Sequence, residues 1–146
     1  MDTAGAITQY HKLQIIPEAG LKEIHAGEFE GMTLEKFASG FSQFLVDWEA
    51  RGEAVSFSGG GENLGQFKER VWKAACRIVD SNQTGTVALV SHYFVTATIV
   101  CTALGLPINH LVRIRIQPSS LTVLEFEKGF APRLLVLSDV CHLGGK

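Results

Sequence analysis

The strongest constraint on the fold is a short apolar stretch at residues 86–90, with the sequence Thr-Val-Ala-Leu-Val. It follows turn-forming residues at 81–85 and precedes an almost wholly apolar segment at 94–104. A run that is too short for a helix and apolar on both faces is typical of a strand buried in a parallel sheet. The longer segment predicts a helix, which ends at Gly105 with Pro107 just beyond. The sequence therefore predicts a buried strand followed directly by a helix, as in an α/β fold.

His92 lies where this predicted strand gives way to the helix. Open α/β sheets bind ligands at that end of the strand, and the free N–H groups of the first helical turn favour an anion. An imidazole at this place indicates phosphate chemistry. A second interpretation stays open, because a single histidine at the end of a strand is commonly a hydrogen-bonded structural residue.

The composition fits one folded domain and excludes several classes of function. Of the 146 residues, 46% are hydrophobic and 19% are charged, which predicts a single domain, 1–146, with a substantial core. A formal net charge of −2 argues against general binding to nucleic acids or membrane surfaces. The first residues do not resemble a secretory signal, and Cys76, Cys101 and Cys141 have neither disulfide nor metal spacing. We therefore expect a cytoplasmic protein with reduced core cysteines and with no metal or cofactor.

Helices are predicted in the first half of the chain. A short helix is predicted at 3–14, a second is capped by Thr33 and ends at Gly52, and a third begins at Leu64 and continues to about Asp80. In the two longer helices, apolar residues recur at spacings of three and four, which predicts one buried face on each. These faces comprise Leu34, Phe37, Phe41, Phe44, Leu45 and Trp48 in the first of them, and Leu64, Phe67, Val71, Ala74, Ala75 and Ile78 in the next.

Further strands are predicted at 13–17, 111–116, 121–127 and 133–138. Residues 111–116 alternate apolar with basic side chains, which is typical of a half-exposed strand. The last three of these strands are joined by turns and form a short β meander. Together with the central strand and the helices, they predict a three-layered α/β fold.

Two loops are candidates for function. Residues 21–32 hold two glycines, three carboxylates and one histidine, with no clean period, which predicts an ordered functional loop. Gly59, Gly60 and Gly61 precede a helix, as phosphate-binding turns do, but the lysine and hydroxyl residue of a P-loop do not follow. A plain linker is the preferred interpretation of the three glycines.

Several of these segments resemble one known family. Residues 21–33 are similar to the motif L-x-E-x-x-x-G-x-W-E-G-x-T, and residues 60–71 to G-G-E-S-x-x-x-F-x-x-R-V. Val90-Ser91-His92 resembles V-S-H-G, and residues 120–143 resemble a set of C-terminal strands closed by His-Leu. The order and spacing of these motifs resemble the histidine phosphatase superfamily, the phosphoglycerate-mutase-like enzymes.

The resemblance implies a mostly parallel sheet flanked by helices and a reaction through a phosphohistidine. It implies that Glu23 is the acid and that His92 is the second active-site histidine, which helps hold the phosphoryl group. Glu62, Ser91 and Tyr93 are implied to bind phosphate or support the site. Tyr93 stands where the family prefers glycine, so we expect a narrower approach to His92.

The main departure from the family concerns its nucleophile. The defining Arg-His-Gly has no counterpart in this sequence, and the resemblance implies a domain truncated at its N-terminus, with the first strands missing. We expect a non-catalytic remnant that binds an anion, such as inorganic phosphate or a small phosphorylated ligand, or that serves as an interaction protein. The alternative is an active phosphomonoester phosphatase that uses His92 and Glu23 with a substitute or partner-supplied nucleophile. Because the apolar 86–90 strand would leave edges unpaired, we also expect a homodimer that covers them.

Overall fold

The computed structural model describes residues 2–144, except for the side chains of Leu34, Phe37 and Ser39. Its helices and strands, in chain order, are α1 (Asp2–His11), α2 (Leu34–Arg51), α3 (Leu64–Ser81), α4 (Tyr93–Ala103), β1 (Leu121–Glu125) and β2 (Arg133–Asp139). Short 3-10 helices lie between them at Ala19–Leu21, Gly27–Phe29, Gly52–Ala54, Ile108–Arg113 and Cys141–Leu143. The described chain is therefore α/β, as predicted. Within it, no helix is both long and apolar enough to cross a membrane.

The predicted helices are confirmed. They could be predicted because residues at their own ends determine where they begin and stop. The Thr33 hydroxyl accepts the Lys36 N–H at the start of α2, and Gly52 ends that helix with a positive φ of 53°. At the start of α3, the Asn63 side-chain oxygen accepts the N–H groups of Gly65 and Gln66. Each cap satisfies backbone groups that a helix end would otherwise leave without a partner.

The core lies where α2, α3 and α4 converge. Trp48 of α2 is fully buried and donates its indole N–H to the Ile108 carbonyl at 3.3 Å. Phe44 is also buried, as the helical spacing predicts, whereas the side chains of Leu34 and Phe37 lie outside the described part. The buried face of α3 comprises Leu64, Phe67, Val71, Ala74 and Ala75. It packs on α4, whose residues Val95, Ala97, Ile99 and Cys101 belong to the same apolar cluster.

The prediction of a buried strand at 86–90 is wrong for the described chain. These residues are assigned to no strand, and Val87, Leu89 and Val90 are each more than two-fifths exposed. The short strand predicted at 13–17 is also not observed, and Leu13 and Ile16 are exposed. A strand requires a neighbour for its backbone N–H and C=O groups, and residues 2–144 supply none at these places.

Residues 111–116 are not a strand either, and the cause is the spacing of their apolar side chains. Ile108–Arg113 is a 3-10 helix, in which residues three apart lie on the same face. Ile108 and Leu111 are buried, and Ile114, three residues further on, is half-buried. A period of three at 108, 111 and 114 therefore takes precedence over the alternation of apolar and basic residues.

Of the predicted β meander, only the last two strands are observed, and they form a small antiparallel sheet. Leu121 pairs with Asp139 and Glu125 with Arg133, and irregularities in the register occur between Leu121 and Leu124. The sheet of the described residues has these two strands alone, so the mostly parallel sheet that the resemblance implies is not seen within them.

The cysteines are all free thiols, but only part of their predicted burial is correct. Cys101 is buried, Cys76 is half-buried and Cys141 is exposed. Burial raises the pKa of the Cys101 thiol. Cys141 lies just after β2, at the edge of the structure, where no core surrounds it.

Candidate functional site

The candidate site lies at the start of α4, where Glu23 and His92 are brought together. One Glu23 carboxylate oxygen accepts the Ile24 N–H at 3.0 Å, and the other accepts the Phe94 N–H at 3.2 Å. His92 is the N-cap residue of α4, and its carbonyl accepts the Thr96 N–H at 3.0 Å. The carboxylate therefore binds the first turn of the helix that begins immediately after His92, although 69 positions separate the two residues in the sequence.

The His92 side chain is exposed rather than built into the fold. Within the part of the chain that the structure describes, the imidazole makes no capping hydrogen bond to α4. The structural alternative, a hydrogen-bonded histidine at a strand end, therefore loses its main support, since among the described residues no strand precedes His92 and its ring makes no capping bond. The exposed ring is available to a ligand from solvent.

Ser91 and Tyr93, which flank His92, hold the start of α4 in place. The Ser91 hydroxyl donates to the Leu21 carbonyl at 2.7 Å. Leu21 belongs to residues 20–28, the loop that carries Glu23 and is called the Glu23 loop below. The Tyr93 hydroxyl donates to the Ile114 carbonyl at 2.9 Å. Burial raises the pKa of Tyr93, and the nearby Cys101 adds to the increase, so the phenol stays a hydrogen-bond donor. Both hydroxyl groups act on backbone carbonyls and thereby orient the segment that carries His92.

Glu62 lies behind the Glu23 loop and is paired with Arg70. The Arg70 Nε and Nη2 atoms lie 2.6 and 2.8 Å from the two Glu62 carboxylate oxygens, a bidentate contact. Burial raises the pKa of Glu62, but the hydrogen bonds and charge of Arg70, helped by the His25 N–H, outweigh it and hold that pKa below its usual range. Glu62 is therefore a charged partner of Arg70, and it contacts the loop through the backbone of His25.

The sequence motif contained Arg70 but indicated no role for it. Its guanidinium also donates to the carbonyls of Gly20, Lys22 and Glu23, at 3.0, 2.9 and 3.2 Å. One signal for this was present, because Arg70 lies three residues after Phe67 and four before Ala74, on the predicted buried face of α3. A charged residue on an apolar helix face requires a partner, and here the partners are Glu62 and the loop.

The glycine-rich loop packs against the loop that carries Glu23 and is therefore more than a plain linker. Its Ser58 carbonyl accepts the Glu28 N–H at 3.1 Å, and the Glu62 N–H donates to the His25 carbonyl at 2.8 Å. A Cβ at Gly27 would lie 1.9 Å from the Ser58 carbonyl oxygen, and one at Gly61 would lie 2.3 Å from Phe57. Gly61 and Gly27 therefore allow the two loops to lie directly against each other.

The other charged groups near the site have structural contacts. Glu28 bonds the Ser58 hydroxyl, and Glu30 accepts the Ala26 N–H at 3.0 Å, so both order the loop rather than face solvent alone. Arg113, a basic residue of the segment predicted as a half-exposed strand, bonds Glu49 of α2 at 2.9 Å. Among the described residues, no group of three or more histidine, cysteine or acidic side chains could hold a metal ion.

This arrangement brings together the elements of phosphate chemistry. It combines an exposed imidazole with a helix N-terminus, at which one of the first N–H groups, that of Phe94, binds the Glu23 carboxyl group. In its protonated form, the carboxyl group can give a proton to a leaving oxygen. The imidazole and the helix end can stabilise charge on phosphoryl oxygens.

Comparison with known proteins agrees with this chemistry. The sequence profile of the histidine phosphatase superfamily (branch 1) matches residues 1–139. Phosphoserine phosphatase 1 of Hydrogenobacter thermophilus is 27% identical over 142 residues, which cover 97% of this chain and 66% of that protein. The chain therefore spans about two thirds of the length of this curated relative.

Solved structures show the same fold. Bacillus stearothermophilus YhfR superposes with a TM-score of 0.82 at 25% identity, covering 97% of this chain and 70% of that one. A mycobacterial glucosyl-3-phosphoglycerate phosphatase in complex with inorganic phosphate superposes with a TM-score of 0.77 at 21% identity, covering 94% of this chain and 71% of the other. The α/β fold of the described residues is thus that of known phosphatases.

Proposed function

The chain belongs to the histidine phosphatase superfamily, and from this premise we propose that it carries a phosphate-binding site built from His92 and Glu23. The His92 imidazole and the start of α4 hold inorganic phosphate or a small phosphomonoester, and Glu23 serves as the acid for a leaving oxygen. One observation carries the proposal: the Glu23 carboxylate binds the Phe94 N–H, two residues after His92. The acid and the imidazole therefore belong to one helix end.

Glu62, Ser91 and Tyr93 support the site in this proposal. Each is held by a contact with the backbone of the Glu23 loop or with a neighbour of α4, through His25, Leu21 and Ile114 respectively. None of these three contacts needs a ligand, so we assign these residues to support rather than to direct phosphate binding.

We infer that the isolated 146-residue chain binds phosphate without turning over its esters. A phosphohistidine needs a nucleophilic histidine, and phosphate dianions are usually held by arginine forks. The sequence contains no Arg-His-Gly, and Arg70 already uses its donors on Glu62 and the loop. Phosphate held by one imidazole and a helix end would bind weakly.

The second candidate function is hydrolysis of phosphomonoesters with a nucleophile from another group or another chain. The relatives favour it, because both the curated relative and the phosphate complex are named as phosphatases. The exposure of His92 also favours it, since the ring can be approached from solvent. In this candidate, Glu23 and His92 keep the roles given above.

We also propose that the chain forms a symmetric homodimer through residues 86–90. Val87, Leu89 and Val90 lie outside the helices and strands of the described residues and are 44%, 43% and 43% exposed. A run of strand-forming apolar residues without a paired neighbour favours pairing with a further strand. A second copy supplies such a strand in a closed arrangement.

Phosphate binding is tested by titrating inorganic phosphate into the labelled chain and following the His92 ring and the Phe94 amide by NMR. Saturable shifts at both positions are expected, and the shift of the Phe94 amide should be lost in His92→Gln. His11→Gln is the matched control, because His11 is also an exposed histidine at the end of a helix. Shifts that are equal at His11 and His92 would show nonspecific ion binding and would refute the proposed site.

Turnover is tested with a generic aryl phosphate and the variants His92→Ala and Glu23→Ala. We expect no turnover by the isolated chain. Turnover that His92→Ala abolishes would support the second candidate, whereas turnover unchanged in both variants would identify a contaminating phosphatase.

A further inference from the structure

We propose that Arg70 is the positioning residue of this site, and that it places the Glu23 carboxylate on the first turn of α4 by binding the backbone of residues 20–23. The inference rests on the proposed function, because the position of Glu23 matters only if Glu23 acts at the site.

The first argument is the number of bonds that the guanidinium makes. Arginine has five N–H donors in a planar fork, and Arg70 makes five hydrogen bonds. Two go to the Glu62 carboxylate, and three go to the carbonyls of Gly20, Lys22 and Glu23. A lysine has a single charged centre with three donors and cannot reproduce this fork.

The second argument is where those carbonyl groups lie. Residues 22–26 belong to no helix or strand, so their backbone groups need partners from elsewhere. Arg70 supplies them up to Glu23, and Glu62 continues the contact by accepting the His25 N–H and donating to the His25 carbonyl. The backbone is therefore bonded by Arg70 up to Glu23 and by Glu62 just after it. The Glu23 side chain has little freedom to leave the Phe94 N–H.

The third argument is that the structure around Arg70 is shaped to hold it. Its guanidinium carbon lies 4.9 Å from the centre of the buried Phe67 ring, which supports the plane of the fork. A Cβ at Gly20 would lie 2.6 Å from the Ala74 Cβ, so only glycine lets the loop lie this close to α3. The Arg70 and Glu62 side chains are only 28% and 17% exposed, and their pairing offsets the cost of this partial burial.

The test uses the Phe94 amide as a reporter of the Glu23 contact. Glu23→Gln defines how far the amide signal moves, and how much its hydrogen exchange accelerates, when the charged contact is lost. In Arg70→Lys we expect the Phe94 amide to move in the same direction and to exchange about tenfold faster, which corresponds to ~1.4 kcal/mol of local protection. A purely global loss of stability would accelerate exchange throughout α4 instead.

Arg77→Lys is the matched control, because Arg77 lies on the same helix and binds Glu18 in the same stretch of chain, but not the Glu23 backbone. We expect no change at Phe94 in this variant. A Phe94 signal that moves in Glu23→Gln but stays in place in Arg70→Lys would overturn the inference.

If Arg70→Lys does not fold, Glu62→Gln provides the second test, since it keeps the guanidinium and an oxygen acceptor. We expect a smaller shift of the Phe94 amide in the same direction, and an unchanged signal would overturn the inference. The reporter needs no phosphate, so its failure is distinct from failure of the proposed function. If phosphate causes no shift at His92 in the wild-type chain, the proposed function is refuted, but the Arg70 contact is not.

Discussion

Two segments of this chain, residues 20–28 and residues 86–90, contrast in the partners that they find. The first has few apolar side chains, yet its backbone is bonded to Arg70, Glu62 and Ser58. The second is mostly apolar and β-branched in part, yet within residues 2–144 its backbone makes no hydrogen bond. The comparison teaches that partners, rather than intrinsic propensity, determine which non-helical segment is held in place in this chain.

The largest expected effect is a difference in stability between a substitution in the core and one in the exposed residues 86–90. Trp48→Ala should destabilise the chain by about 3–5 kcal/mol, because it removes a fully buried ring and its bond to Ile108. Val87→Ala and Val46→Ala, at side chains that are 44% and 61% exposed, should each change stability by less than about 0.5 kcal/mol. Chemical denaturation of the three variants at low protein concentration measures the difference. A large cost for Val87→Ala would break the comparison, since it would show that residues 86–90 are buried in the folded protein.

The next largest effect concerns residues 20–28, whose contact with Glu62 should stabilise the chain in a pH-dependent way. Glu62→Gln should destabilise the chain by about 1–3 kcal/mol at pH 7, because it weakens the contact with Arg70 and the loop. The pKa of Glu62 in the folded chain lies below its usual range, so this stabilisation is fully present above about pH 4.3. It is lost as the pH falls through the lowered pKa, so the wild type and the variant should converge at acid pH.

Urea denaturation between pH 3 and pH 7 measures this convergence, and Glu69→Gln is the control. Glu69 also bonds a basic residue of α3, but both side chains of that pair are mostly exposed, and we expect no measurable change. A gap between wild type and Glu62→Gln that stays constant over this range would show that the charge of Glu62 is not what stabilises the loop.

The same contrast explains how much of the structure could be predicted from the sequence. The helices were predictable because their signals are local, with Thr33 and Gly52 at the ends of α2 and apolar residues at helical spacing within it. Strands depend on neighbours that a pattern does not identify, so the apolar residues 86–90 suggested burial that the described chain does not provide. The alternation at 111–116 misled in another way, because a period of three was also present.

The candidate site was predictable only in part. The motifs indicated Glu23 and His92, and the structure brings their two segments into contact through Phe94. They could not indicate that Arg70 bonds three carbonyl groups of the loop, because backbone contacts carry no side-chain signature. The three glycines were interpreted as a linker, because the close approach of Gly59 and Gly61 to the loop that carries Glu23 depends on that partner loop and not on the glycines alone.

A smaller effect tests how firmly the start of α4 is held. Tyr93→Phe removes the hydroxyl that donates to the Ile114 carbonyl and should cost about 0.5–1.5 kcal/mol. Tyr10→Phe is the control, because Tyr10 is 84% exposed, and no effect on thermal stability is expected there. Equal melting temperatures for wild type and Tyr93→Phe would show that the hydrogen bond from Tyr93 to Ile114 does not stabilise the start of α4.

The smallest effect on stability is expected in the exposed segment, where the consequence is assembly rather than unfolding. Leu89→Lys places a charge in the middle of residues 86–90, at a side chain that is 43% exposed. A lysine opposes pairing of strand edges, so this variant should sediment as a monomer at concentrations where the wild type forms a dimer, with little change in melting temperature.

Leu104→Lys is the matched control, because Leu104 is 42% exposed at the end of α4 and lies outside the segment. A wild-type chain that is a monomer at every concentration would refute the dimer, and equal dissociation of both variants would place the interface elsewhere. If only Leu89→Lys dissociates, residues 86–90 obtain from a second copy the partners that residues 20–28 find within their own chain.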